Sequence, residues 1–363
     1  MEIRSRRADV ADFENCESLT RSAYPCCGYE RCNQLRQLWE AMRWENCQGG
    51  AVPLVIEASE CGGFGQIVAF SFSIFMGEGV CSGQTGLTPW VNDQFSRGTR
   101  LTSNSTQLGQ PNYFSGLSLF IPSYAWVRDA LDADSRLRIV NFLIASFLRV
   151  HTGYNIERVI VESCEQDLHW LMRCGFRISG EAWSEQRKKE SRQRGASCCN
   201  FVTLSLTRNE ALMEPGTLAS FLFIYNRPRF RFKLNEQELL KEALAGRTDT
   251  EISHRLNVTL STVKKRWTRI YDEVISVDFA LIPHAVEQGS SIRGKEKRRY
   301  ILGYLRHHPE ELLPVKGINS ESFWNLLDGQ DRASSLAWEK REGQSEEWNE
   351  QHGLSLGRSN GVH

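Results

Sequence analysis

With 363 residues and 40% hydrophobic content, the chain is long enough for two domains and a tail. Its 44 Lys and Arg offset 44 Asp and Glu, but unevenly: Arg227 to Arg306 holds 17 basic against 10 acidic residues, the stretch from His307 onward 5 against 10, and the first 226 residues 22 against 24, so only the middle block is dressed for phosphate. No cationic segment with an apolar run and a cleavage site opens the chain, and the longest apolar run, Ile139 to Leu148, is about half a bilayer span and holds Asn141; neither secretion nor a membrane anchor is expected, and a cytoplasmic chain with reduced thiols is.

Two apolar runs, VPLVIEA from Val52 and QIVAFSFSIFM from Gln66, flank the glycine-rich Cys61 to Gly65 and read as an antiparallel hairpin. No helix start follows those glycines, so a turn is expected there and no phosphate cradle. Gly77 to Gln110 is polar and without period, as in a long loop. Asp134 to Val150 gives an apolar helix with Leu137, Val140, Ile144, Phe147 and Leu148 on its core side. A strand about Arg158 to Glu162 follows, then a short helix from Glu165 to Arg173, the breaker Gly175, a strand from Phe176 and another from Phe201 to Leu206.

This order, with the stretch W-L-M-R-C-G-F (Trp170 to Phe176), resembles the later half of a GNAT-type acyltransferase fold. That family holds the CoA pyrophosphate on backbone N–H groups of a glycine-containing loop at the N-terminus of the central helix, and often uses a tyrosine as general acid. Here no glycine lies between Gly116 and Gly153, and Asp129, Asp132 and Asp134 stand where they would repel the anion. Leu171 occupies the tyrosine position. Resemblance and departures together imply a degenerate, non-catalytic α/β domain: no enzyme, no catalytic residue and no cofactor.

All eleven cysteines precede residue 200. Cys16, Cys26, Cys27 and Cys32 are close in sequence, and Cys198-Cys199 follows the basic run Arg187 to Arg194, which could lower a thiol pKa. Zinc would need a second ligand pair that is not evident, so no metal is expected; a redox-sensing thiol is the alternative, and most of these side chains read as small core residues.

Phe221 to Phe232, FLFIYNRPRFRF, alternates aromatics with arginine around Pro228. It reads as an extended connector docking the next unit onto the first domain, with base stacking as the alternative. Beyond it, Thr248 and Glu251 form a capping box that opens a helix, and Ile252 and Leu256 share one face. Asn257-Val258 breaks the run, and Thr259 caps a second helix whose Val263, Trp267, Ile270 and Val274 make one apolar stripe. Opposite that stripe stand Ser261, Thr262, Lys264, Lys265, Thr268 and Arg269.

With the preceding LNEQELLKEALAG, the segment Leu234 to Val274 resembles the LuxR-type helix-turn-helix of bacterial transcription regulators, through the core G-x-T-D-x-E-I-x-x-x-L-x-V-x-x-x-T-V-K. The first helix is shorter than usual, and Trp267 replaces a smaller apolar residue, which implies a larger contact with a neighbouring element. Lying in the major groove, the second helix would set Lys264, Lys265 and Thr268 against base edges and Thr262, Arg266 and Arg269 on phosphates. The resemblance implies a homodimer on double-stranded DNA, with RNA polymerase and an unidentified effector as further partners. A basic helix from Lys295 to Arg306, with Ile301, Tyr304 and Leu305 apolar, could serve dimer contact or add phosphate contacts. From Lys316 onward the chain turns acidic and polar with isolated Trp324, Trp338 and Trp348, the composition of a disordered tail.

The expected fold class is therefore an α/β N-terminal domain with a GNAT-like mixed sheet (1–210, sensory or interaction), a connector (211–233), an all-α helix-turn-helix DNA-binding region with an extra basic helix (234–312) and a flexible acidic tail (313–363). The expected function is sequence-specific transcription regulation. The alternatives are an acyltransferase or redox-sensing enzyme with an appended DNA-binding module, and a scaffold whose helix pair binds protein.

Overall fold

Strand-forming runs of β-branched and aromatic residues, each bounded by glycine or polar stretches, assemble into one sheet in the computed structural model. The strands are β1 (Glu2–Arg7), β2 (Ala51–Ser59), β3 (Gln66–Met76), β4 (Leu117–Trp126), β5 (Ile156–Cys164), β6 (Arg177–Ile178) and β7 (Phe201–Thr207), in the spatial order β1-β2-β3-β4-β5-β7-β6. The structure describes residues 2–25, 32–33, 35–40, 50–59, 65–76, 105–128, 132–179, 201–282 and 294–314. The expected hairpin is β2–β3, antiparallel from Ala51/Ile74 to Ala58/Gln66. Every neighbouring pair is antiparallel except β4–β5, which runs parallel.

Around the sheet lie α1 (Phe13–Ala23), α2 (Ser105–Tyr113), α3 (Ala133–His151), α4 (Glu165–Arg173) and α5 (Arg208–Met213). Cys16, Leu19 and Ala23 of α1 pack with Phe70, Phe72 and Phe120 in one core. Ile139 and Leu143 of α3 pack with Leu54, Ile56 and Val68 in another. Each fully buried aliphatic side chain of this kind contributes about 1.5–3 kcal/mol.

Three expectations shift. Leu137 is exposed, and the buried line of α3 is Ile139, Leu143 and Ser146, with Val140, Ile144, Phe147 and Leu148 half-buried beside it. This helix is apolar almost all round between 139 and 148, so periodicity alone does not fix its rotation. Residues Ser105 to Gln110, read as loop, belong to α2, which carries Pro111 inside it; 77–104 lie outside the described residues. The strand from Phe176 is reduced to Arg177–Ile178.

The second part is helical: α6 (Leu234–Leu244), α7 (Asp249–Arg255), α8 (Leu260–Val277) and α9 (Gly294–Leu305), around a core of Leu239, Leu240, Ile252, Val263, Trp267, Ile270, Val274, Ile301 and Leu305. Phe230 and Phe232 of the connector are buried in that same core, so their rings are not offered to bases. Arg227 and Arg231 lie 5.5 and 5.9 Å from the ring of Tyr113 in α2. A short 3-10 turn, Pro309–Leu312, brings the chain back from α9. Its fully buried Glu311 accepts hydrogen bonds from the amides of Arg229 (2.7 Å) and Phe230 (3.1 Å) and from the Tyr304 hydroxyl (3.2 Å). Asn112 donates to the Pro314 carbonyl (3.1 Å) and accepts from the Asn155 amide (2.8 Å). Gly153 sits at φ +90, where a Cβ would fall 2.8 Å from the Glu310 amide nitrogen. Sheet and helices thus belong to one unit, Met1–Lys316. Among the described residues no helix is long and apolar enough to cross a membrane.

Candidate nucleic-acid interface and the cleft between diverging strands

Local chemistry fixes α7 and α8 before any tertiary contact. The Thr248 amide and hydroxyl both donate to the Glu251 carboxylate at 2.8 Å, and the Glu251 amide returns to the Thr248 hydroxyl. The first of these bonds holds the Glu251 carboxyl below its usual range. Asn257 then takes φ +50, a left-handed conformation that asparagine tolerates better than most residues. The turn is closed by the Val258 amide on the Ser253 carbonyl (3.0 Å) and by the Ser253 hydroxyl on the Val258 carbonyl (2.7 Å). The Thr259 hydroxyl accepts from the Thr262 amide (3.1 Å) and starts α8.

Val263, Trp267, Ile270 and Val274 are all buried, which leaves one face of α8 free. Ser261, Lys264, Lys265, Thr268 and Arg269 are exposed on it. The Thr268 hydroxyl is bonded to the carbonyl of Lys264 (3.2 Å). Two of the six expected contact residues are engaged elsewhere. Thr262 is half-buried with its hydroxyl 2.9 Å from that of Thr259. Arg266 is half-buried and donates from Nη1 to the Asn235 carbonyl (3.1 Å) at the start of α6. Spacing along one helix could not reveal that distant acceptor. Arg298 of α9 also escaped the sequence reading: its guanidinium lies 4.2 Å from the Trp267 ring centroid and pairs with Asp249, which accepts from Trp267 Nε1 at 3.2 Å. The neighbouring element implied by the large Trp267 is therefore α9, together with the start of α7.

The sheet holds a second candidate site. Pairing of β4 with β5 runs from Leu117/Ile156 to Ile121/Val161, although β4 continues to Trp126 and β5 to Cys164. Beyond that point Tyr124 sends its hydroxyl to Ser163 and, at 3.2 Å, to Asp167; Tyr24 reaches the same carboxylate at 3.1 Å. Arg128 completes the cluster, 3.0 Å from both Asp167 oxygens and stacked over Trp126 and Tyr24. An apolar cavity of about 90 Å³ lies between α3 and α4, lined by Tyr124, Ile144, Phe147, Trp170 and Leu171 among others.

The N-terminus of α3 is closed by its own cap. Asp132 accepts from the Ser135 amide (2.9 Å), which also draws its carboxyl pKa down. Asp132 thereby sets a carboxylate at that helix end; Asp129 lies outside the described residues. Cys16, Cys32, Cys164 and Cys174 are buried and in no disulfide, and burial pushes the thiols of Cys16, Cys32 and Cys174 up, away from reactive thiolate. Cys26, Cys27, Cys198, Cys199 and the tail from residue 315 lie outside the described residues. Among the described residues no three His, Cys, Asp or Glu side chains gather as metal ligands.

Similar solved structures include a putative acetyltransferase of the GNAT family from Desulfovibrio desulfuricans (7% identity, 57% of this chain and 99% of that chain, TM-score 0.32). Others are FeeM, an N-acyl amino acid synthase from uncultured soil microbes (10%, 61% and 97%, TM-score 0.33), and the C-terminal condensation domain of Ebony (8%, 57% and 99%, TM-score 0.37). No family model and no curated protein matches the chain. The N-terminal region resembles the GNAT acetyltransferase fold. Likeness at this level bears on fold alone, and none of these comparisons supports the LuxR-type resemblance, which rests on the sequence motif. The expectation that the chain is no enzyme is corrected here: the similar structures include acetyltransferases, and the missing glycines before α3 and the buried Leu171 are no evidence against activity.

Proposed function

We propose that the chain is a sequence-specific DNA-binding transcription regulator, with α8 as its reading helix and an N-terminal domain of acyltransferase type. The carrying observation is the face of α8: Lys264, Lys265, Thr268 and Arg269 are exposed together on a helix whose opposite face is wholly buried and whose start is capped. A rigid, one-sided basic helix is what a major groove accepts, with Lys264, Lys265 and Thr268 toward base edges and Arg269 toward phosphate. Arg266 joins the phosphate contacts only by leaving the Asn235 carbonyl.

The full chain should bind duplex DNA with affinity that falls by orders of magnitude between about 50 and 200 mM salt, because each phosphate contact releases counterions. Fluorescence anisotropy across that range is the measurement, and salt-independent binding would sink the reading in favour of a protein-binding scaffold. Two substitutions separate roles on α8. Lys264→Ala should relax preference at one base position at about 1–3 kcal/mol, whereas Arg269→Ala should weaken all sequences alike. If neither change alters the ranking of operator variants, α8 is not the reader.

A second reading, acyl transfer, is supported by the divergence of β4 and β5 beside an apolar cavity. Tyr124 lines that cavity, and its hydroxyl is turned to Asp167 and Ser163. A CoA donor would need its phosphates held away from the capped end of α3. Turnover of acetyl-CoA by the full chain with a panel of amines is the assay.

A further inference from the structure

Four elements build the wall of the cavity of about 90 Å³: Ser71 of β3, Ile144 and Phe147 of α3, Trp170 and Leu171 of α4, and Ala219 of the 3-10 turn Leu218–Phe223. No residue lining it is charged. The Tyr124 hydroxyl is already turned to Asp167 and Ser163, and burial keeps the Cys174 thiol protonated. A charged or phosphate-bearing molecule would therefore lose its hydration here without compensation.

The same wall nonetheless holds two hydrogen-bond donors that no partner answers, the Ser71 hydroxyl and the indole N–H of Trp170. Ser71 is only 5% exposed, so bulk solvent does not serve it. The Trp170 ring meets Tyr124 and Trp126 edge-on, with centroids 6.0 and 5.7 Å away, which fixes the direction of its N–H. Buried donors are nearly always paired, and two orphans on the wall of one small cavity call for an acceptor inside it. A single water would leave most of that space bounded by carbon. A hydrocarbon would fill the space and leave both donors unanswered. One oxygen acceptor on an uncharged apolar skeleton satisfies both demands. Since a cavity of about 150 Å³ takes up benzene, the enclosed part of such a molecule has about six non-hydrogen atoms.

We propose that this cavity binds a small uncharged ketone or ether, its oxygen accepting from Ser71 and Trp170 and its carbon skeleton lying on Ile144, Phe147 and Leu171. The inference goes beyond both readings above: binding needs neither DNA nor CoA, and its failure leaves both standing. Cyclopentanone is the probe, titrated into the full chain labelled with 15N at tryptophan, with cyclopentylammonium as the charged control. One indole N–H signal should shift saturably with cyclopentanone and not with the ammonium, and Trp170→Phe should remove that signal. Ser71→Ala should weaken cyclopentanone severalfold, and Ala219→Leu, which fills the cavity, should weaken it at least tenfold. Should Ala219→Leu fail to fold, Ser71→Ala decides. No saturable shift of the Trp170 indole, an equal response to cyclopentylammonium, or affinity unchanged in Ser71→Ala or in folded Ala219→Leu overturns the proposal.

Discussion

Replacing Trp267 with alanine should cost about 3–5 kcal/mol and melt the helical part of the molecule, the range found when a large buried aromatic is deleted and its cavity cannot collapse. Total stability of a domain is about 5–15 kcal/mol, so the variant sits near its unfolding threshold. Trp267 is 3% exposed; its Nε1 donates to Asp249 and its face carries the Arg298 guanidinium. Removing the ring therefore leaves a void, a carboxylate without one donor, and a cation with no surface to lie on. Trp267→Phe keeps most of the volume and the stacked cation, and should cost much less. Urea titration followed by far-ultraviolet circular dichroism separates the two. An unchanged melting curve with DNA affinity lost would instead put Trp267 on the surface.

Acidification should destabilise the sheet through His151. Its ring is fully buried at the end of α3. Nδ1 lies 2.8 Å from the Phe147 carbonyl, which can only accept, so Nδ1 carries the proton and Nε2 accepts from the Ser73 hydroxyl at 2.8 Å. The neutral ring is thus satisfied, while a second proton would be buried without a counterion. Desolvation pushes its pKa down to about 4 from the 6.5 of an exposed histidine. The unfolded chain therefore takes up a proton below pH 6.5 that the folded one refuses until about pH 4. The contribution is complete above pH 6.5 and is lost as pH falls, by about 2 kcal/mol at pH 5 and about 3 kcal/mol near pH 4. Denaturant titrations at pH 7 and pH 5 measure the loss. His151→Leu, which has no titrating ring, should show a smaller difference between the two pH values. An equal difference would assign the effect to other groups.

What was legible in the sequence was what short-range chemistry decides. Thr248 and Thr259 stand three residues before their partners, so their caps could be read directly, and the stripe Val263, Trp267, Ile270, Val274 fixed the rotation of α8 because the opposite face is polar. The rotation of α3 was not legible, for want of such a contrast. Contacts across long separations were equally hidden. Ser73 and His151, Arg266 and Asn235, and Glu311 with the Arg229 and Phe230 amides meet only once the fold is made. The cleft between β4 and β5 leaves no periodic trace either, because it is a failure of pairing between two strands that each read as ordinary. The non-enzyme expectation erred differently: it took a missing loop motif and one substituted position as evidence about a whole class.

The return of the chain after α9 bears on how such a molecule could be recombined. Glu311 answers two amides of the connector, Asn112 ties Pro314 to Asn155, and Gly153 leaves just enough room for the Glu310 backbone. The last residues of the helical part are thereby seated on surfaces made by the first. A transplant of the helices onto a foreign input domain would carry an acidic side chain shaped for its own connector and meet a partner lacking the glycine. Shuffling at the connector, the obvious seam in the sequence, would therefore break the molecule at a joint it does not have. Exchange that succeeds should move sheet and helices as one cassette.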